Sequence, residues 1–216
     1  CKMRIDFAGP IDRKQWLSRM GVKGDGDAGL LRRMDLCEKR LLSAAASQGV
    51  YRVVKPEALE LKGQAIRKHL AGCTEAVLLG VTLGAGVDHL IRGSQIRDMA
   101  EAFILDCGAS VLAEQVCDLF EERIRRENSM HFTGRYSPGY GDYPLECQDE
   151  LIRLLDGARK IGLNVSRSHL LIPRKSITAV MGGADHPVSG YLATCGECTL
   201  RDTCVLRKEG RNCAGF

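Results

Sequence analysis

Residues 134–144 read Gly134-Arg135-Tyr136-Ser137-Pro138-Gly139-Tyr140-Gly141-Asp142-Tyr143-Pro144. Nothing in this stretch has helical or strand periodicity; Gly and Pro punctuate it, so it is a long aromatic loop. It divides the chain. Before it, from Ile96 to Arg126, apolar residues at Met99, Phe103, Ala109, Leu112, Val116, Leu119, Phe120 and Ile124 fall on one broad face and predict a long central helix. After it come a helix at 146–155 and strand candidates at Val165 to Leu171 and Ser176 to Met181.

Upstream, a short helix over residues 11–20 opens with Asp12 as N-cap and is followed by a Gly-rich turn at 21–29. Leu30, Met34, Cys37, Leu41 and Ala45 recur at helical spacing and predict an amphipathic helix over 28–48, ended by Gly49. Val50 to Lys55 and Leu59 to Lys62 read as short strands joined at Lys55-Pro56, a short helix follows at 64–71, and Glu75 to Leu83 reads as a buried strand. Helices and short strands mix without a regular βαβ alternation. That favours an α+β fold with an antiparallel or mixed sheet over a doubly wound one.

The composition is that of a globular chain: 216 residues, 44% hydrophobic and 27% charged, enough for a real core. Thirty-one Lys and Arg against 27 Asp and Glu give a net charge of +4, which with no basic run supplies no reason to expect nucleic acid or a membrane surface. The longest apolar stretch, about Ala76 to Val87, contains glycines and falls short of a membrane span. The charged start predicts no signal peptide, so the reading is a cytoplasmic, thiol-reducing setting.

Of the ten cysteines, Cys1, Cys37, Cys73, Cys107, Cys117 and Cys147 are scattered and read as small buried hydrophobes. The other four, Cys195, Cys198, Cys204 and Cys213, form a C-x2-C-x5-C-x8-C cluster with ligand-like spacing. Four thiolates complete either an iron–sulfur cluster or a tetrahedral zinc site, and the spacing matches neither a zinc ribbon nor a ferredoxin run. Free thiols are the third reading. The five histidines show no ligand grouping and read as surface or satisfied core residues, while Gly80, Gly84 and Gly86 lack the Gly-Lys-Ser/Thr of a phosphate loop.

In the loop itself, Pro138 fixes φ and Gly139 permits positive φ, so the pair can hold a turn whose backbone faces a ligand. Arg135 can clamp a carboxylate, and Tyr136, Tyr140 or Tyr143 can flank a flat or cationic group. A plain surface turn has the same composition.

Arg135-Tyr136-Ser137-Pro138-Gly139-Tyr140 resembles the R-x-x-P-G-Y motif of the activation domain of vitamin B12-dependent methionine synthase. The likeness extends to Ile161-Gly162-Leu163-Asn164-Val165-Ser166, to Pro173-Arg174-Lys175-Ser176-Ile177-Thr178-Ala179, to Thr82-Leu83-Gly84, and to Asp106, Ser110 and Glu114 on the long helix. Ile11 to Gly24 is similar to the opening of short, free-standing members, which often carry a C-terminal cysteine motif.

The resemblance implies a C-shaped α+β domain over residues 1–192 with a twisted sheet flanked by helices, followed by a cysteine-rich tail over 193–216. It implies reactivation of a corrinoid methyltransferase, in which cob(II)alamin carried by a partner is reduced by one electron and methylated from S-adenosylmethionine. By position, Arg135 pairs with the methionine carboxylate, Ser137, Pro138, Gly139 and Tyr140 line the ligand, and Glu114 and Tyr191 contribute contacts. Ser110 replaces the companion acid of the fused enzyme. Partners would be a corrinoid-binding protein or the other methionine synthase modules, and an electron donor of flavodoxin or ferredoxin type. The tail would hold a 4Fe-4S cluster or, alternatively, zinc; in the second reading the protein is a non-catalytic module that docks on a corrinoid methyltransferase with a structural zinc tail.

Overall fold

The computed structural model describes residues 2–191, so the tail cysteines lie outside the described residues. The fold is α+β. Its strands are β1 (Lys2–Arg4), β2 (Gln48–Val54), β3 (Glu75–Thr82), β4 (His131–Phe132), β5 (Asn164–Val165), β6 (Leu171–Ile172) and β7 (Ser176–Ala184). Its helices are α1 (Arg13–Arg19), α2 (Ala28–Ala44), α3 (Gln64–His69), α4 (Ala85–Arg97), α5 (Met99–Glu127), α6 (Cys147–Leu155) and α7 (Gly157–Ile161). A five-stranded sheet has the order β1-β2-β3-β7-β4, and β5 and β6 form a separate hairpin.

The sheet is antiparallel. β1 pairs with β2 and β4 with β7 in opposite directions. Along β3 and β7, the Thr74 amide donates to Gly183 O and the Leu83 amide to Lys175 O, so partner numbers fall as chain numbers rise. The buried run Glu75–Thr82, expected as a strand, is β3.

The described residues divide into two compact units: one of residues 2–51, 79–128 and 152–177, the other of 52–78, 129–151 and 178–191. In the first, α5 packs against α1, α2 and α4. Trp16 of α1 is fully buried, and its indole Nε1 donates to Ile104 O at 2.9 Å. The approach depends on Gly108: a Cβ there would stand 2.3 Å from Trp16 Cζ2. Phe120 also packs tightly against Gly49 of β2, where a Cβ would meet three ring atoms within 2.9 Å. Cys37, Cys107, Cys117 and Cys147 are buried and Cys73 partly so, as their scatter implied; burial pushes the Cys37 thiol up to about 11.

The expected helix over 96–126 begins instead at Met99, and a separate helix, α4, precedes it. Asp98 is the cause: its backbone is extended, and its carboxylate accepts the Glu101 amide at 3.0 Å as N-cap of α5. The break turns Ile96, Met99 and Phe103 outward, and the buried face runs through Leu105, Ala109, Leu112, Val116, Phe120 and Ile124. Helix α2 ends at Ala44, because the Ala46 amide donates to Leu83 O and so passes the chain to the sheet. Residues 59–62 are not a strand: the Glu60 amide donates to the Glu150 carboxylate at 3.1 Å. Between 165 and 171 only the ends are extended, since Ser166 Oγ accepts the Ser168 and Leu170 amides and curls the segment into a turn.

The resembling segments Thr82-Leu83-Gly84 and Pro173 to Ser176 meet within the first unit. Ser176 Oγ donates to Thr82 Oγ1 (2.8 Å), which also accepts the Gly84 amide (3.0 Å). Glu114 lies half-buried on α5 in this unit.

Candidate functional site

The loop that begins at Thr133 belongs to the second unit. Phe132 stands opposite Gly183 on β7, and the Thr133 amide donates to Gly182 O at 2.9 Å. Three residues further on, Tyr136 bridges Val180, exchanging both backbone hydrogen bonds at 2.9 and 2.8 Å. Between these two pairings, Thr133, Gly134 and Arg135 oppose only Met181 and Gly182. The extra residue is a β-bulge at Gly134-Arg135, a device that re-aims a side chain and strengthens local twist. Arg135, half-buried, therefore leaves the ladder where the sheet's regular alternation stops.

After Tyr136 the chain turns at once. The Tyr140 amide donates to Ser137 O at 3.2 Å, and Gly139 has φ 92°. Pro at the first central position and a positive-φ Gly at the second define a type II turn, the turn that the residue pair predicted. Two further bonds close the loop: the Gly139 amide to Tyr143 O (2.8 Å) and the Tyr143 amide to Tyr140 O (3.0 Å). Pro138 is buried and Tyr140 half-exposed.

Aromatic rings support the turn from beneath. Tyr136 is buried, with its ring centroid 5.0 Å from that of His69 and 6.3 Å from those of Tyr140 and Tyr143. Tyr143 is buried as well, and its desolvation holds the phenol well above its ordinary range. The loop thus brings together a half-buried guanidinium, one nitrogen of which is fully enclosed, and a half-exposed aromatic face on a hydrogen-bonded backbone. That set suits a small zwitterion with a carboxylate at one end and a cationic or flat group at the other.

Two residues that the sequence reading passed over hold this loop. Asp142 accepts the Gln64 amide at Oδ2 (2.7 Å) and the Ala65 amide at Oδ1 (2.9 Å), capping α3 from outside that helix. These amide donors hold its carboxyl below the usual range. His69, at the other end of α3, is 1% exposed; Nε2 lies 2.9 Å from Gly134 O and 2.8 Å from Thr133 Oγ1, and Nδ1 lies 2.8 Å from Tyr191 O and 3.1 Å from the Tyr191 amide. The reading of His69 as a satisfied core residue stands, but what it satisfies is the backbone of the predicted ligand segments. No spacing rule could have shown that, because Asp142 and His69 act on amides and carbonyls 77 and 65 residues away.

Tyr191, carried over by position, sits in the same unit, its ring under the Lys68 ammonium at 5.2 Å to the centroid. Among the described residues no three His, Cys, Asp or Glu side chains are grouped to hold a metal. The cluster proposed at Cys195, Cys198, Cys204 and Cys213 lies outside them. No helix of the described residues is long and apolar enough to cross a membrane.

No family model matches the sequence, and no curated protein matches it. Among solved structures the chain is similar to the MetH reactivation domain bound to AdoHcy, with a TM-score of 0.63, 14% identity, and coverage of 98% of this chain and 86% of that one. At that identity the likeness is one of fold: this chain has the α+β architecture of a methionine synthase reactivation domain.

Proposed function

We propose that the chain binds S-adenosylmethionine on the 134–143 loop and serves the reactivation of a corrinoid methyltransferase. The observation that carries this reading is the joint occurrence of a reactivation-domain fold across nearly the whole chain and an R-x-x-P-G-Y loop built as a bulge followed by a type II turn. The solved neighbour is bound to AdoHcy, the product that S-adenosylmethionine becomes on losing its methyl group.

The residues fit the ligand chemically. Arg135 takes the methionine carboxylate with two parallel hydrogen bonds. The Ser137-Pro138-Gly139 backbone, already folded, lines the ligand without an ordering cost at the moment of binding. Tyr140 offers a ring face to the sulfonium or the purine, and Tyr191 belongs to the same unit. Glu114, half-buried on α5 of the first unit, is the further ligand contact that the resemblance implies.

The corrinoid of a partner protein is the substrate. One electron from a flavodoxin- or ferredoxin-type donor converts cob(II)alamin to cob(I)alamin, whose cobalt takes the methyl group from the sulfonium and leaves neutral S-adenosylhomocysteine. The protein's own task is positional: to hold the sulfonium methyl in line and exclude water. The tail thiols Cys195, Cys198, Cys204 and Cys213 would carry an iron–sulfur cluster that delivers the electron; a brown protein on anaerobic purification is the expected result, and colourless protein with one zinc per chain would overturn that element.

The test of the reaction supplies methyl-labelled S-adenosylmethionine, cob(II)alamin and a low-potential reductant. Label on cobalt in equal amount to S-adenosylhomocysteine, dependent on the protein, is expected. A chain that binds a corrinoid methyltransferase but leaves the label on sulfur would instead be a docking module.

A further inference from the structure

We propose that α3 is a brace fixed to both ends of the ligand loop, which makes Asp142 and His69 positioning residues for Arg135. The inference rests on the reading of the loop as an S-adenosylmethionine site and adds what sets its shape.

The geometry is that of a strut with two joints. At the N-terminal end, α3 begins after Gly63, which has φ 100° and, as a glycine, no side chain with which to cap the helix. Its orphan amides at Gln64 and Ala65 are taken by the Asp142 carboxylate. The fit is close: a Cβ on Gly63 would stand 2.4 Å from Asp142 O. At the C-terminal end, His69 meets the loop's other terminus at Gly134. Its Nε2 lies 2.9 Å from Gly134 O and 2.8 Å from Thr133 Oγ1, and its Nδ1 2.8 Å from Tyr191 O and 3.1 Å from the Tyr191 amide, so the ring has a partner on both segments whichever nitrogen carries the proton, while Thr133 Oγ1 accepts the Gly182 amide.

Residues 134 and 142 bracket every ligand-facing position from Arg135 to Tyr140. Both are tied to one rigid helical segment. The bulge alone would leave Arg135 on a hinge, because a bulge weakens the ladder that it interrupts. A brace across the hinge removes that freedom before the ligand arrives, and removing freedom beforehand raises affinity without a new contact. His69 adds the Tyr191 segment to the same joint, so the two parts of the predicted site share one anchor.

The experiment pairs S-adenosylmethionine titration calorimetry with amide hydrogen exchange on the full chain. Asp142→Ala is expected to weaken binding by about tenfold, and Asp142→Asn, which keeps one acceptor, by about threefold. In an Arg135→Ala background, Asp142→Ala should cause a much smaller further loss than in wild type, since the brace acts mainly through the arginine. A purely structural role would weaken both backgrounds alike. Exchange should quicken at Gln64, Ala65, Gly139 and Tyr143 and stay unchanged at Leu79 and Val81.

Wild-type affinity and unchanged loop exchange in Asp142→Ala would overturn the brace, while loss of binding in Arg135→Ala would leave the ligand reading intact. If wild type binds no S-adenosylmethionine, the ligand reading fails, and the exchange pattern alone decides whether the brace exists. Should Asp142→Ala not fold, Asp142→Asn and His69→Gln carry the same comparison.

Discussion

The Lys175 ammonium donates to Ser110 Oγ at 2.9 Å, joining the segment before β7 to the middle of α5. The same amine donates to Asp106 O at 3.0 Å and pairs with the Asp106 carboxylate at 2.8 Å. Ser110, the position at which the resemblance departs from the fused enzyme's acid, is therefore in use as an acceptor for a lysine whose side chain is only 12% exposed. Lys175→Met keeps the apolar stem and removes the donor. It should destabilise the protein by about 1.5 kcal/mol, the scale of a charge-assisted hydrogen bond, measured as a lower chemical-denaturation midpoint. The exposed Asp106 contributes little of that, because solvent screens its half of the pair.

Gly108→Ala places a Cβ where Trp16 Cζ2 now lies 2.3 Å away. Helix propensity favours Ala over Gly by about 1 kcal/mol, so propensity and packing pull in opposite directions. Packing wins, because the obstacle is a fully buried indole anchored to Ile104 O, and overpacking of this kind costs about 1–3 kcal/mol. The chain has a single tryptophan, so fluorescence reads the site directly. A red-shifted emission and a lower melting temperature are expected.

Much of the first unit was legible in the sequence. Periodicity located α2 through Met34, Cys37 and Leu41, and Asp12 was recognised as a cap. The error at Ile96, Met99 and Phe103 has a definite origin: their spacing continues the helical pattern, but Asp98 spends its carboxylate on the Glu101 amide and restarts the helix. Sequence periodicity records side-chain polarity and not which backbone amide a carboxylate will take. The loop followed the same rule. Pro138-Gly139 announced its turn, because the ring fixes φ at Pro138 and glycine admits without steric cost the positive φ that the next position needs. The bulge at Gly134-Arg135 and the grip of Asp142 and His69 depend on register between distant segments, which no local pattern encodes.

The Asp142 cap should be visible as a pH effect. Amide donors lower its folded-state value below that of the unfolded chain, so its stabilising contribution is present above the unfolded value, about 4, and is lost as pH falls through the folded one. The melting-temperature gap between wild type and Asp142→Asn should be constant from neutral pH to about 5 and close progressively below about 4. A gap that persists unchanged in acid would show that the carboxylate's charge plays no part.

The central claim, that the loop around Arg135 is an S-adenosylmethionine site, is tested most directly by titrating S-adenosylmethionine into wild-type protein, Arg135→Lys and Arg135→Ala by calorimetry. Lys keeps the charge but not the planar two-pronged donor set. The expected order is tightest binding by wild type, weaker binding by Arg135→Lys, and a loss of about a hundredfold in Arg135→Ala, the scale of a truncated charge-assisted contact. Equal affinity in all three would contradict the account.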